Sequence, residues 1–197
     1  RGPSRQARRR VLVICEGQKT EPLYIRAFAR AVRNPLVQVE IDDRGGVPKT
    51  LVERAKTLKQ DAEKQARRQR DENLRFDEVW CIFDVDEHPH LADARQQARD
   101  NQIQLAVSNP CFELWALLHL QEQNAAIHRK KLRAVLKTHF PRYVKTLPFE
   151  ELHQGYTDAV ARARRLEEQA NRAGDPDRNP TTAVYQLTEQ IKNYRQG

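Results

Sequence analysis

Short apolar runs alternate with stretches of helical period along the first two thirds of this chain. Val11-Leu12-Val13-Ile14-Cys15 is a continuous apolar run of strand length, the form a parallel strand takes when both of its faces are covered. After Glu16-Gly17, Thr20 is placed to cap a helix, with Glu21 and Pro22 suited to its first turn. Leu23, Tyr24, Ala27, Phe28, Ala31 and Val32 follow at helical spacing and give that helix a buried face. Asn34-Pro35 ends it, and residues 36–41 alternate as a second strand would. Gly45-Gly46 reads as a turn. A long helical pattern then runs from Pro48 toward Asn73 and becomes almost wholly charged over Lys64–Arg70, as a helix projecting past the sheet would.

The third apolar run, Val79–Phe83, ends in Asp84-Val85-Asp86, and a short polar helix is expected over residues 91–101. A fourth strand pattern over 103–107 stops at Ser108-Asn109-Pro110, before a nearly all-apolar helix from Phe112 to Leu120. Beyond it only helical patterns remain, over 128–140, 149–173 and 181–194, with a loop at 174–180. This order predicts an α/β fold: a parallel sheet of about four strands built from right-handed βαβ units, with a C-terminal all-helical extension. We divide the chain into a flexible basic arm (1–9), an α/β domain (10–125) and a helical region packed on it (126–197).

Composition narrows the setting. The chain has 197 residues, enough to bury a sizeable core, and 31% of them are charged. No apolar stretch approaches the roughly 20 residues that a spanning helix needs. The Arg-rich start lacks a signal-peptide apolar segment, so a cytoplasmic protein is the expectation. The start at Arg1 and the absence of methionine read as a trimmed product. Net charge is +8, and an excess of this size favours polyanions, because phosphate contacts release condensed counterions. Arg8 and Arg9 of the arm, Arg10 next to it, Lys19 ahead of the first helix, and Arg67 and Arg68 on the charged helix are the candidate nucleic-acid contacts. Cys15, Cys81 and Cys111 lie singly in apolar settings and read as buried reduced thiols, not as a zinc or disulfide framework.

The candidate chemistry is acidic. In an extended segment Asp84 and Asp86 leave the same side of the chain, at the strand end where α/β sheets place ligands. If the first and third strands are neighbours, their ends lie about 4.8 Å apart and Glu16 joins the two aspartates. Clustered carboxylates repel unless a cation lies among them, and Mg²⁺ or Mn²⁺ favours such oxygens. This arrangement requires Glu16 to face the aspartates; an arginine filling the space among them counts against it. Gly17 would admit a phosphate close to the backbone. Glu113 is costly in an apolar helix unless it is paired.

The arrangement resembles the Toprim domain of topoisomerases, primases and OLD-family nucleases, a Rossmann-like sheet. More narrowly, the chain is similar to the RloB family of bacterial defence and restriction loci. The matching blocks are Ile14–Pro22 (ICEGQKTEP), Phe83–His88 (FDVDEH), Ser108–Trp115 (SNPCFELW) through His119, and Asn179–Thr182 (NPTT), in the family's order from about residue 11 onward. What the resemblance implies is a Mg²⁺- or Mn²⁺-dependent nuclease of anti-phage defence, cutting DNA or RNA and acting with a separately encoded ATPase. Asp84 and Asp86 would then hold metal. Glu16 would hold it directly or through water, or act as general acid or base. Glu21 is either a further ligand or a first-turn acid that favours the helix dipole. Lys19, Asn109, Glu113 and His88 are the supporting set, and a homo-oligomer stays open.

Two other readings remain. The chain could be a non-catalytic nucleic-acid-binding or regulatory subunit of the ATPase, or a nucleotidyl transferase, for which no primer or template module is recognisable. A serine hydrolase finds no nucleophile elbow, and a single-glycine turn is no phosphate-binding Walker loop.

Overall fold

β1 (Arg9–Cys15) is an inner strand of the sheet, and both neighbouring strands lie parallel to it. The fold is given by a computed structural model that describes residues 8–85 and 91–195. β2 (Val37–Asp42) pairs with one edge of β1 and β3 (Glu78–Asp84) with the other; β4 (Gln104–Asn109) pairs in parallel with β3. A two-residue strand, β5 (Thr181–Thr182), closes the sheet antiparallel to β4, so the order is β2-β1-β3-β4-β5. The sequence reading stops at about four strands. Two threonines at the head of a helical pattern are too few to show alternation, and only pairing to Ser108 and Asn109 makes them a strand.

The parity of the apolar runs decides which helices cover which face. Val11, Val13, Cys15, Trp80, Ile82 and Ala106 point into one core, and Leu12, Ile14, Val79, Cys81 and Phe83 into the other. The first core is covered by α1 (Thr20–Val32), α4 (Glu113–Leu118), α5 (Arg129–His139), α6 (Phe149–His153), α7 (Tyr156–Arg172) and α8 (Val184–Asn193). The second is covered by α2 (Pro48–Gln69) and α3 (Leu91–Asp100). Because the chain turns one way from β1 and the other way from β3, right-handed crossovers put α1 and α3 on opposite faces. The crevice of such a sheet opens between β1 and β3, at their carboxyl ends.

Local details depart from the sequence pattern for physical reasons. α2 does not project freely, since Ala62 and Ala66 are buried and the Ala66 carbonyl accepts from the Asp71 amide of the following turn. Thr20 is the first residue of α1 and does not cap it; its hydroxyl donates to the Lys145 carbonyl at 3.0 Å. The 149–173 helical pattern is broken at Gln154-Gly155, where the Gly155 Cα lies so close to the His119 carbonyl that a methyl group there would sit 2.0 Å from that oxygen. The three cysteines are free and buried, and burial raises each thiol, Cys81 to about 12, as expected of inert core thiols.

Residues 1–7 of the expected arm lie outside the described residues, and its last residue belongs to the sheet. Arg9 and Arg10 belong to β1: Arg9 pairs with Glu78 and lies over the Tyr194 ring, and Arg10 pairs with Glu40 at 2.6 Å and lies over Phe76. Arg8 is exposed just ahead of the strand.

Candidate functional site

β1 and β3 bring the predicted acids together because their ends are in register. Cys15 pairs with Ile82, so Glu16 comes level with the end of β3. Its Oε2 accepts the backbone N–H of Asp84 at 2.8 Å, which turns Glu16 toward that aspartate. Asp84 shares the parity of Trp80 and Ile82 and therefore faces the α1, α4 and α5 side. It is only 8% exposed, and its Oδ1 accepts the Phe112 amide at 2.8 Å. This bond ties the end of β3 to the start of α4.

These residues floor a cavity of ≈ 600 Å³. Glu21, from the first turn of α1, is buried beside it with its carboxylate folded back over Gly17. The space that glycine opens is therefore taken by a side chain of this protein. Burial raises the Glu21 carboxyl first, and Glu113 and Glu16 add repulsion, while the Glu21 and Gly17 amides pull it back. Asp84 is pushed up to about 8, by burial and then by Glu16, Glu21 and Glu113; Arg129 only partly offsets this.

The cavity is also lined by basic side chains, which the sequence reading missed. Arg129, Arg133 and Lys137 of α5 line the cavity with Lys19 and Lys145. An Arg129 terminal nitrogen stands 3.5 Å from Asp84 Oδ2. Glu113 is buried, and its Oε1 accepts from Arg133 Nε at 2.7 Å and from the Tyr143 hydroxyl at 3.1 Å. Burial alone would raise the Glu113 carboxyl, but the Arg133 bond and charge outweigh it and hold the group below its ordinary range. Glu113 thus answers the cost of a buried acid by fixing Arg133 and Tyr143 at the cavity edge. A four-residue spacing, visible in RKKLRAVLKTH (129–139), was the available signal for the basic wall.

The other expected site residues are placed as follows. Lys19 is exposed at the start of α1 and lines the cavity. Asn109 is committed elsewhere, since its Nδ2 donates to the Asp177 carbonyl at 2.6 Å and holds the 174–180 loop. Arg67 and Arg68 are exposed at the far end of α2, about 30 Å along the helix from the loop beside Glu16, so they do not join this cavity. Arg9 and Arg10 lie at the opposite ends of the strands. Asp86 and His88 lie outside the described residues. A larger hollow of ≈ 810 Å³, lined by Arg9, Glu78, Arg164 and Glu189, opens at that opposite end, and its charges pair with one another.

Whether Mg²⁺ or Mn²⁺ suits the acids can be judged from their electrostatics. Asp84 sits in an excess of negative charge that Arg129 does not cancel, which is the setting a hard divalent cation relieves. Among the described residues no three acid, imidazole or thiol groups close around one point. Asp84, Glu16 and Glu21 are the donors present, and the guanidinium of Arg129 occupies space beside Asp84.

The structure is thus a mostly parallel sheet with acids at the β1/β3 crevice and cations lining the same cavity. The chain belongs to the RloB-like family: the family model described as RloB-like protein matches residues 11–191. Neither the curated proteins nor the solved structures give a match. Among the described residues no helix is long and apolar enough to cross a membrane.

Proposed function

We propose that this protein is a Mg²⁺- or Mn²⁺-dependent nuclease with a Toprim-like site, hydrolysing phosphodiester bonds in DNA or RNA as the effector of a bacterial defence system with an ATPase partner. The observation that supports this most is the gathering of both charges in one cavity. Glu16, Glu21 and Asp84 line it together with Arg129, Arg133 and Lys137. A phosphodiester with a divalent ion presents the complementary charges, the ion to the acids and the phosphate oxygens to the cations. Asp84, Glu16 and Glu21, together with Asp86, would hold the ion, which supplies stabilisation of charge on the attacking and leaving oxygens. The chain's own cations bind and orient the phosphate, and the depth of Asp84 limits water around the reacting bond.

A second reading has its own observation. Arg129 already stands against Asp84, and a guanidinium in that position favours a non-catalytic nucleic-acid-binding or regulatory subunit of the ATPase. One experiment separates the two. The protein, alone and with its ATPase, is incubated with DNA and RNA substrates in Mg²⁺, Mn²⁺ or chelator, beside Asp84→Ala. The nuclease reading expects metal-dependent cleavage that the variant lacks by at least about a hundredfold. Equal cleavage by both proteins, or binding and ATPase stimulation without cleavage in either, sinks it.

A further inference from the structure

The cationic wall of the cavity is a regular array along one helix. Arg129, Arg133 and Lys137 are each four residues apart on α5, so they form one stripe with a rise of about 6 Å per step. Leu132 and Leu136, one position before the last two, are fully buried. The stripe therefore runs along the border between core and solvent, where long side chains can lay their stems on the protein and reach outward. Its first two members are anchored. Arg129 stands beside Asp84, and Glu113 takes the Nε of Arg133, which leaves its terminal amino groups for a second acceptor. Lys137, about one turn beyond Arg133, is exposed.

The rim beside this stripe is mixed in character. Tyr143, Val144 and Lys145 line the cavity, held by Tyr143 to Glu113, which also takes Arg133, and by the Lys145 carbonyl to the Thr20 hydroxyl. Between those two ties Val144 is 79% exposed and lines the cavity beside Lys145. An exposed apolar side chain among cations suits a ligand that carries charge and flat apolar faces together. In a duplex the base faces are stacked inside, and only the charged backbone is presented. In a single strand they are available to protein side chains. Asp84, at 8% exposure beside this ≈ 600 Å³ space, is also better reached by a phosphate of a thin, flexible single strand than by one held in a rigid duplex.

We infer that α5 is a phosphate ladder for single-stranded nucleic acid, with Arg129, Arg133 and Lys137 meeting successive phosphates and the 143–145 strap meeting a base. This rests on the reading of the cavity as a phosphodiester site and names its ligand as a single strand, of either sugar, in preference to a duplex or a mononucleotide. Lys137 and Lys145 are binding residues here, and Glu113 is a positioning residue that acts through Arg133.

Binding is tested in chelator, without turnover, by fluorescence anisotropy over a range of salt concentrations. The probes are single-stranded DNA and RNA of about 12 nucleotides, the duplex of the same sequence, and a mononucleotide. The single strands are expected to bind at least about tenfold tighter than either alternative. Lys137→Ala should weaken binding several-fold and lower the slope of log affinity against log salt by about 0.7, the release from one single-strand phosphate. Arg99→Ala, in the last turn of α3, should leave that slope unchanged, and unaltered thermal melting shows that both variants fold. Duplex binding as tight as single-strand binding overturns the inference, as does a slope that Lys137→Ala does not move. Single-strand binding without cleavage under any metal or partner condition counts against the nuclease alone. Cleavage with an unmoved Lys137→Ala slope counts against the ladder alone.

Discussion

The Glu16 carboxylate accepts the backbone amide of Asp84 at 2.8 Å, which couples the ends of β1 and β3 before any ligand arrives. Asp84 in turn accepts the Phe112 amide, so three chain segments meet at one acidic point. Such an arrangement is stable only while its negative charge is answered, and the answer within the protein is Arg129.

Divalent ions should therefore stabilise the folded protein. With Mn²⁺ or Mg²⁺ at a hundred times its dissociation constant, binding to the native state alone contributes about 2.7 kcal/mol, read as a rise in melting temperature. Asp84→Asn should lose that rise and, in chelator, be at least as stable as the native chain, because the repulsion with Glu16 and Glu21 is gone. An identical metal-dependent rise in the variant would place the ion elsewhere.

Gly17 has a defined task in this arrangement. A methyl group there would sit 2.2 Å from Glu21 Oε2, the end of a movable side chain, and Gly17 has no left-handed backbone angle to relieve. Gly17→Ala should thus fold with less than about 1 kcal/mol of loss while swinging the Glu21 carboxylate out of its place. The expected readout is weakened Mn²⁺ binding by titration calorimetry with melting nearly unchanged; unchanged affinity would show that Glu21 takes no part.

Glu113→Gln keeps an acceptor for Arg133 and Tyr143 but removes the charge. Since the Arg133 side chain is 45% exposed, solvent screens much of the pair, and we expect a loss of about 1–2 kcal/mol in urea denaturation. Single-strand binding should also weaken, because Arg133 is no longer held. Restoring an acid with Glu113→Asp should recover part of the binding.

His119 provides the pH dependence. It is buried; its Nδ1–H donates to the Trp115 carbonyl at 2.8 Å, so its Nε2 accepts from the Tyr24 hydroxyl at 3.1 Å. Burial first of all, with smaller repulsion from His153 and Arg162, lowers this imidazole to about 4. An unfolded chain takes up the proton near pH 6.5 and the folded one only near 4, so stability falls as pH drops between those values. At pH 5 the loss from this group is about 2 kcal/mol, and His119→Gln should flatten that part of the stability curve. A variant with the same acid sensitivity as the native chain would refute the assignment.

Gly155→Ala should be the most damaging conservative change in the helical half. Its methyl group would meet the His119 carbonyl at 2.0 Å, and backbone cannot yield as a side-chain tip can. A loss of about 1–3 kcal/mol or more in chemical denaturation is expected. A loss within about 0.5 kcal/mol would mean that the α6–α7 bend relaxes freely.

Much of this was legible along the chain. The apolar runs named β1, β3 and β4, because a strand buried on both faces must be apolar throughout. The position of Asp84 at a strand end followed from the same run, and the acids of the ICEGQKTEP and FDVDEH blocks stood out by type and spacing.

The tertiary structure alone decided what faces those acids. Nothing local in RKKLRAVLKTH says that Arg129 reaches Asp84, that Arg133 answers Glu113, or that Lys137 extends the same wall; helical period gives a stripe its side but not its partner. Arg9 and Arg10 looked like a loose arm by composition, yet Glu78 and Glu40 hold them in β1. Periodicity records which way a side chain points from its own backbone, whereas the pairing of charges is settled by long-range packing, which brings together residues that sequence order keeps apart.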